Sequence, residues 1–233
     1  MAGVVVHIAI ADAILTKISM PDAEQFLLGN IAPDGVMMRK GYVRAMKKHS
    51  HLRDDIPDAE FLRKDLRQLF SDRLNRFTKD YAIKNAPMFS EMAGYASHLI
   101  TDELFIASSR KDYVSAMNKL GIDQHDRRFY HSIVNCMDRV DHELAKKYPF
   151  TYNVVSLLKL ARPFSLLDYI YADELSKSRD WVVTHYFIEK ESSHNDTYNI
   201  MDINDVITGV ISFDSMRSFI ADSSDEIIRR MQL

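Results

Sequence analysis

The chain has 233 residues, 46% of them hydrophobic and 27% charged, enough apolar content for a substantial core and too much for a disordered chain. A net charge of −3 supplies no global field for a polyanion, which weakens nucleic-acid binding as a default function and leaves only local basic runs for it. The single Cys136 rules out an internal disulfide framework and a zinc finger and fits a reducing compartment, while seven Gly and six Pro are too few for many short strands and tight turns, leaving a mostly helical fold.

Residues 2–15, AGVVVHIAIADAIL, predict a first helix that is apolar on all sides. The run is shorter than the roughly 20 residues of a membrane span. His7 and Asp12 interrupt it and no Lys or Arg precedes it, so neither a signal peptide nor a transmembrane segment is expected and the chain reads as a soluble cytoplasmic protein. A short second helix is expected from Pro21, with Asp22 and Glu24 in its first turn and Gly29 as its stop. GNIAPDG (29–35) reads as a loop with Asp34 at its tip, because Pro33 disfavours helical geometry at Ala32.

Residues 36–57, including KKHSHLR (47–53), are rich in Lys, Arg and His, lack apolar periodicity and read as largely irregular. From Asp58, Phe61, Leu62, Leu66, Leu69, Phe70, Leu74 and Phe77 recur at three- and four-residue steps and predict an amphipathic helix with a solvated charged face. A helix over 88–108 follows, then a break at Gly121 and DQHDRR, then a helix over 129–147 that stops near Pro149. Helical periods recur at 154–161, 165–176, 179–190 and 203–230, with KESSHNDTYN (190–199) as a loop. No repeat or long linker divides the chain, which reads as one helical domain, 1–233: a core over 1–150 and additional helices of unassigned role over 151–233. In that last third Trp181, Tyr186, Phe187, Tyr198, Phe213 and Phe219 read as a packing layer or a lid.

Chemistry-bearing residues concentrate in GYASHLITDELF (94–105). On a helix His98 and Asp102 project from one face and can reach one point. Tyr95, Leu99 and Ile106 to one side and Phe105 to the other turn that point toward the interior. A buried carboxylate needs a cation, hydrogen bonds or a metal. Three other segments place similar groups oddly: His7 inside the apolar run, Asp34 in the loop and His51 in HSH. Singly, each has an ordinary explanation as an internally satisfied pair, a core histidine, a turn or cap residue, or, with His49, an exposed imidazole. Together they supply imidazole and carboxylate without thiolate, the ligand chemistry of zinc or another borderline divalent ion. Asp138 and His142, again four apart, could complete a second metal position opposite His98 and Asp102, or lie on a solvated face with Arg139, Asp141, Glu143 and Lys146.

VVHIAIADAIL, LLGNIAPDG, KKHSHLR and GYASHLITDELF, in that order, resemble the bacterial zinc-dependent phospholipase C family, particularly its small intracellular members, across residues 4–150. The most specific part is Gly-Tyr-x-x-His-Leu-x-x-Asp preceded by a Gly-x-x-x-Pro-Asp segment. The resemblance implies an all-α multi-helix bundle of the phospholipase C and P1 nuclease type, with two or three Zn2+ ions in its core. It implies His7, Asp34, His51, His98 and Asp102 as metal ligands, with Asp102 as the bridge, and Asp138 as the match to an Asp that small members carry before a similar helix. Secreted members also use the amino group of an N-terminal Trp, where this sequence reads Met-Ala-Gly.

The function so implied is metal-dependent hydrolysis of a phosphodiester or phosphomonoester, in a small phosphorylated substrate or a phospholipid headgroup. Asp34 is then a candidate general base, and Arg39, Lys40, Lys47, Lys48 and Arg53 are candidates for binding the phosphate. The alternatives are a non-catalytic metal-binding helical scaffold and a His-Asp phosphohydrolase built on His125-Asp126. Phosphate-cradling Gly-rich motifs and a nucleophile elbow are absent, and Cys136 with His131 on a helix makes a poor nucleophile pair.

Overall fold

The structure, a computed structural model, describes residues 2–189 and 209–233. In chain order its helices are α1 (Val4–Leu15), α2 (Ala23–Gly29), α3 (Ala32–Gly35), α4 (Arg44–Ser50), α5 (Lys64–Tyr81), α6 (Phe89–Ala107), α7 (Ser109–Lys119), α8 (Arg127–Lys147), α9 (Val154–Leu160), α10 (Ala172–Val182) and α11 (Phe213–Met231). A π-helical turn, Val183–Ile188, continues α10. Among the described residues there is no strand, only an isolated bridge between Leu166 and Ile170. The fold is all-α, and among the described residues no helix is long and apolar enough to cross a membrane.

A helix that is apolar all round must be covered all round. From Val5 to Leu15 every residue of α1 except Ala13 is buried, with α2, α6, α8 and α11 packed against it. The same logic applies to α6, which is buried from Ser90 to Ile106 except at Leu104. Ile211, Met216, Phe219 and Ile227 belong to the same hydrophobic core as α1 and α6, so the last third of the chain supplies part of its wall.

Polar groups tie these helices down. Asp12 accepts from the backbone N–H groups of Thr151 and Tyr152 at 3.0 and 2.9 Å. Asp141 of α8 accepts from Val5 and Val6 at 3.2 and 3.3 Å, satisfying donors that the first turn of α1 cannot pair internally. A Cβ on Gly3 would lie 2.3 Å from that carboxylate. Glu103 of α6 receives Arg67 of α5 at 2.9 Å and Arg230 of α11 at 2.6 Å.

Several local expectations are corrected. Helix α2 starts at Ala23, with Asp22 as its N-cap residue and Pro21 outside it. The helix ends at Gly29 as expected, with Asn30 as its C-cap residue in right-handed rather than left-handed geometry. GNIAPDG contains α3, with Pro33 in its first turn, where a missing N–H costs nothing. The segment 36–57 contains α4. Its end is a Schellman cap, Arg53 N–H to Lys48 O at 2.8 Å and Leu52 N–H to His49 O at 2.9 Å. Leu52 takes the left-handed position at φ 56° where glycine would be the readable signal. The amphipathic helix expected from Asp58 begins at Lys64, and α7 is a helix the periodicity did not separate. The period 165–176 begins as the bridged turn and becomes helical only at Ala172. The loop 190–199 with Tyr198, and residues 203–208 of the last helical period, lie outside the described residues.

Candidate metal centre

The five residues singled out by chemistry come from four separate elements. His7 sits on α1, Asp34 on α3, His51 at the end of α4, and His98 and Asp102 on α6. His7, His98 and Asp102 offer ligand atoms that all lie within 4.8 Å of one another, as do Asp34, His51 and His98. His98 belongs to both groups.

The tautomers follow from the backbone. His98 Nδ1 lies 2.7 Å from the Asn30 carbonyl and His51 Nδ1 lies 2.8 Å from the Lys47 carbonyl. A carbonyl only accepts, so each Nδ1 carries the proton, and in the neutral ring each Nε2 presents a lone pair. Those two Nε2 atoms face each other at 3.2 Å. His51 Nε2 also lies 3.3 Å from Asp34 Oδ1 and 3.6 Å from Asp102 Oδ2, and His98 Nε2 lies 3.9 Å from Asp102 Oδ2. His7 stacks on His98 with ring centroids 3.7 Å apart, and its Nε2 approaches Asp102 Oδ1 at 3.5 Å. Asp102 Oδ1 also accepts from the Ala2 backbone N–H at 2.9 Å.

Burial and charge hold these groups in metal-binding form. Burial, followed by neighbouring His7, pushes the His98 imidazole well below its ordinary range. Burial lowers His51 too, with Asp34 partly opposing it. Burial disfavours ionised Asp34, but Lys47 and His51 outweigh it and hold the carboxyl well below the usual range. The same opposition at Asp102 is won by its neighbours, His7 first, then the chain's N-terminus and His98. The result is two carboxylates packed against the neutral imidazoles of His51 and His98, the protonation state that a divalent ion requires.

A pH dependence follows. His51 and His98 have folded pKa values below that of the unfolded chain, about 6.5, so unfolding takes up protons in acid and stability rises with pH through that region. Asp34 and Asp102 are ionised in both states there and add no slope. His49, raised by Asp54 and Asp168 against burial, works in the opposite sense but is partly exposed and solvent-screened. Asp141, which burial holds well above the usual carboxylate range, also works in the opposite sense. Chelator-treated Asp141→Asn protein is therefore expected to lose stability as the pH falls below ~6.5, read from urea midpoints, and a flat or rising profile on acidification would contradict the assigned neutral imidazoles.

The solvent side of the centre is formed by Asp34 and Lys47. Their side chains are 14% and 12% exposed, and Lys47 Nζ lies 2.7 Å from Asp34 Oδ1. The other proposed phosphate binders are otherwise engaged: Arg39 with Glu174 at 2.6 Å, Arg53 with Asp58 at 2.9 Å, and Lys48 with the Ile56 carbonyl at 3.3 Å. Lys40 is exposed.

Asp138 and His142 are brought together, with Nε2 and Oδ2 3.9 Å apart, but they do not complete the centre around His98 and Asp102. They group instead with His185 of the π-helical turn, a residue that sequence reasoning did not select; a His four residues after Trp181 was its only signal. The backbone carbonyls of Asn30 and Lys47 were likewise invisible to side-chain patterns. His125-Asp126 forms no comparable site: the His125 N–H donates to Asp123, and Asp126 caps α8 by accepting from the Arg128 N–H at 2.8 Å. Cys136 is buried, its Sγ 3.3 Å from the Ile211 carbonyl. Comparison of the chain with known protein families, with curated proteins and with solved structures finds no match.

Proposed function

We propose that this chain is a metal-dependent phosphoester hydrolase whose centre is His7, Asp34, His51, His98 and Asp102. The observation that carries the reading is the pair of Nε2 lone pairs 3.2 Å apart, each fixed by a backbone carbonyl behind it and flanked by two carboxylates. Neither imidazole can donate to the other in that tautomer, so the arrangement gains most from a cation between them, and carbonyl-oriented histidines are a recurrent feature of metal ligands. The borderline His and Asp donor set favours zinc. Asp102, with Oδ1 toward His7 and Oδ2 toward His51 and His98, is placed to bridge two positions. The resemblance to zinc-dependent phospholipase C implies the same ligands.

Divalent ions held there would lower the pKa of water and neutralise charge on a phosphoryl oxygen. The chain's own contribution is positional. Lys47, paired with Asp34 on the open side, can meet a substrate phosphate as a point charge. Drawing the ammonium away would raise the proton affinity of Asp34, which as it stands is a weak base held low by that same charge. Thus Asp34 acts as ligand first, and as proton acceptor only with a phosphate in place.

A second reading, a structural metal site without turnover, draws on the near-complete burial of His7, His51, His98 and Asp102. The two part on one experiment: metal content of protein purified without added metal, together with hydrolysis of a model phosphodiester and phosphomonoester before and after chelation. Two or more divalent ions per chain with chelator-sensitive turnover supports the hydrolase. Metal without turnover of either ester supports the scaffold, and protein without metal refutes both.

A further inference from the structure

The second group of ligand-type residues shares no residue with the centre above. Asp138 and His142 stand one turn apart near the middle of α8, and His185 comes from the π-helical turn that extends α10. His185 Nε2 lies 3.7 Å from Asp138 Oδ1, and His142 Nε2 lies 3.9 Å from Asp138 Oδ2. These separations exceed a hydrogen bond. Tetrahedral zinc, with ligands at about 2.1 Å, sets ligand atoms about 3.4 Å apart. One ligand atom from each of the three residues lies within 4.8 Å of the others, so the trio must draw together around an ion, by a few tenths of an ångström at each of the two His–Asp separations.

Neighbouring groups orient the trio. The Tyr186 hydroxyl donates to Asp138 Oδ1 at 2.8 Å, a bond that turns the carboxylate's other oxygen toward His142. The His185 ring lies flat on Trp181, centroids 4.7 Å apart and 14° from parallel, and edge-on to His142 at 4.9 Å. The π-helical winding places the consecutive His185 and Tyr186 both within reach of one carboxylate. Such turns recur where a side chain must be aimed. This site is more exposed than the first centre: His142 is 5% exposed, but His185 and Asp138 are 22% and 26% exposed.

We propose that Asp138, His142 and His185 form a separate divalent-cation site, with zinc the preferred ion and a fourth coordination position left for solvent or an anionic ligand. It gives the last third of the chain a role that its aromatic residues alone do not disclose, because an ion there ties the end of α10 to α8. Asp141, one residue before His142, already ties α8 to the start of α1. The proposal does not depend on hydrolysis at the first centre.

The test is zinc stoichiometry by elemental analysis on full-length protein, dialysed against zinc and then freed of excess, for wild type, His185→Ala, Asp138→Asn and His98→Ala. Both His185→Ala and the near-isosteric Asp138→Asn are expected to hold one equivalent fewer than wild type, with unchanged far-ultraviolet circular dichroism. His98→Ala is expected to retain that equivalent while losing the ions of the first centre. Cobalt substituted for zinc should show a visible absorption band that survives His98→Ala and disappears in Asp138→Asn. Wild-type zinc content in both His185→Ala and Asp138→Asn, or a zinc-free His98→Ala protein, would overturn the site.

Discussion

Replacing His98 by Ala is expected to strip the first centre of metal and to lower phosphoester hydrolysis by about a thousandfold or more. The magnitude follows from two considerations. Removing a group that merely orients a metal ligand costs about 10–100-fold, and His98 is a ligand-type residue that both ligand groups share. Its loss also leaves the Asn30 carbonyl without its donor and His7 without its stacking partner. Asp102→Asn should behave alike, since the amide keeps the shape but not the bridging charge. His49→Ala is the matched control. It lies two residues from His51 but pairs outward with Asp54 and Asp168 at 2.8 and 3.2 Å, and its removal should leave metal content and turnover intact. Metal analysis and initial rates on the three variants decide the matter: wild-type metal in His98→Ala, or loss of metal in His49→Ala, would move the centre elsewhere.

The contrast between His49 and His51 also shows what could be read before the fold was known. His98 and Asp102 were legible because helical spacing alone puts them on one face, and His7 because an imidazole inside an otherwise apolar helix has to be buried. Asp34 and His51 were legible as chemistry but not as structure. The segment carrying them ends α4 with Leu52 at a position where glycine is the usual marker, and α3 is too short for periodicity to register. His185 escaped altogether, because its partners on α8 are fixed by tertiary packing of a π-helical turn, which has no local signature. The long helices α5, α6 and α8 were readable from apolar periods, whereas α3 and α4 were read as loop or irregular chain and α7 was not separated.

The geometry of the centre rests on how closely α2 and α6 approach, and Gly94→Ala is expected to destabilise the protein by about 3 kcal/mol or more. In a solvent-exposed helix the same change stabilises by about 1 kcal/mol, since alanine is the better helix former. Here the sign is reversed by contact: a Cβ on Gly94 would lie 2.2 Å from the Phe26 carbonyl and 3.0 Å from both Asn30 N and Gly29 Cα, and a Cβ on Gly29 would lie 2.2 Å from the Glu91 carbonyl. All these are backbone atoms that cannot swing aside, so the helices must separate. That separation draws Asn30 O away from His98 Nδ1, loosening the bond that aims Nε2 at the metal position, so zinc affinity should fall along with stability. Gly209→Ala, whose added Cβ meets nothing within 4 Å among the described residues, should do neither. Urea unfolding of the chelated proteins and zinc titration of the native ones separate the two effects. A Gly94→Ala protein as stable as wild type would show that the two helices are not held at glycine-to-glycine distance.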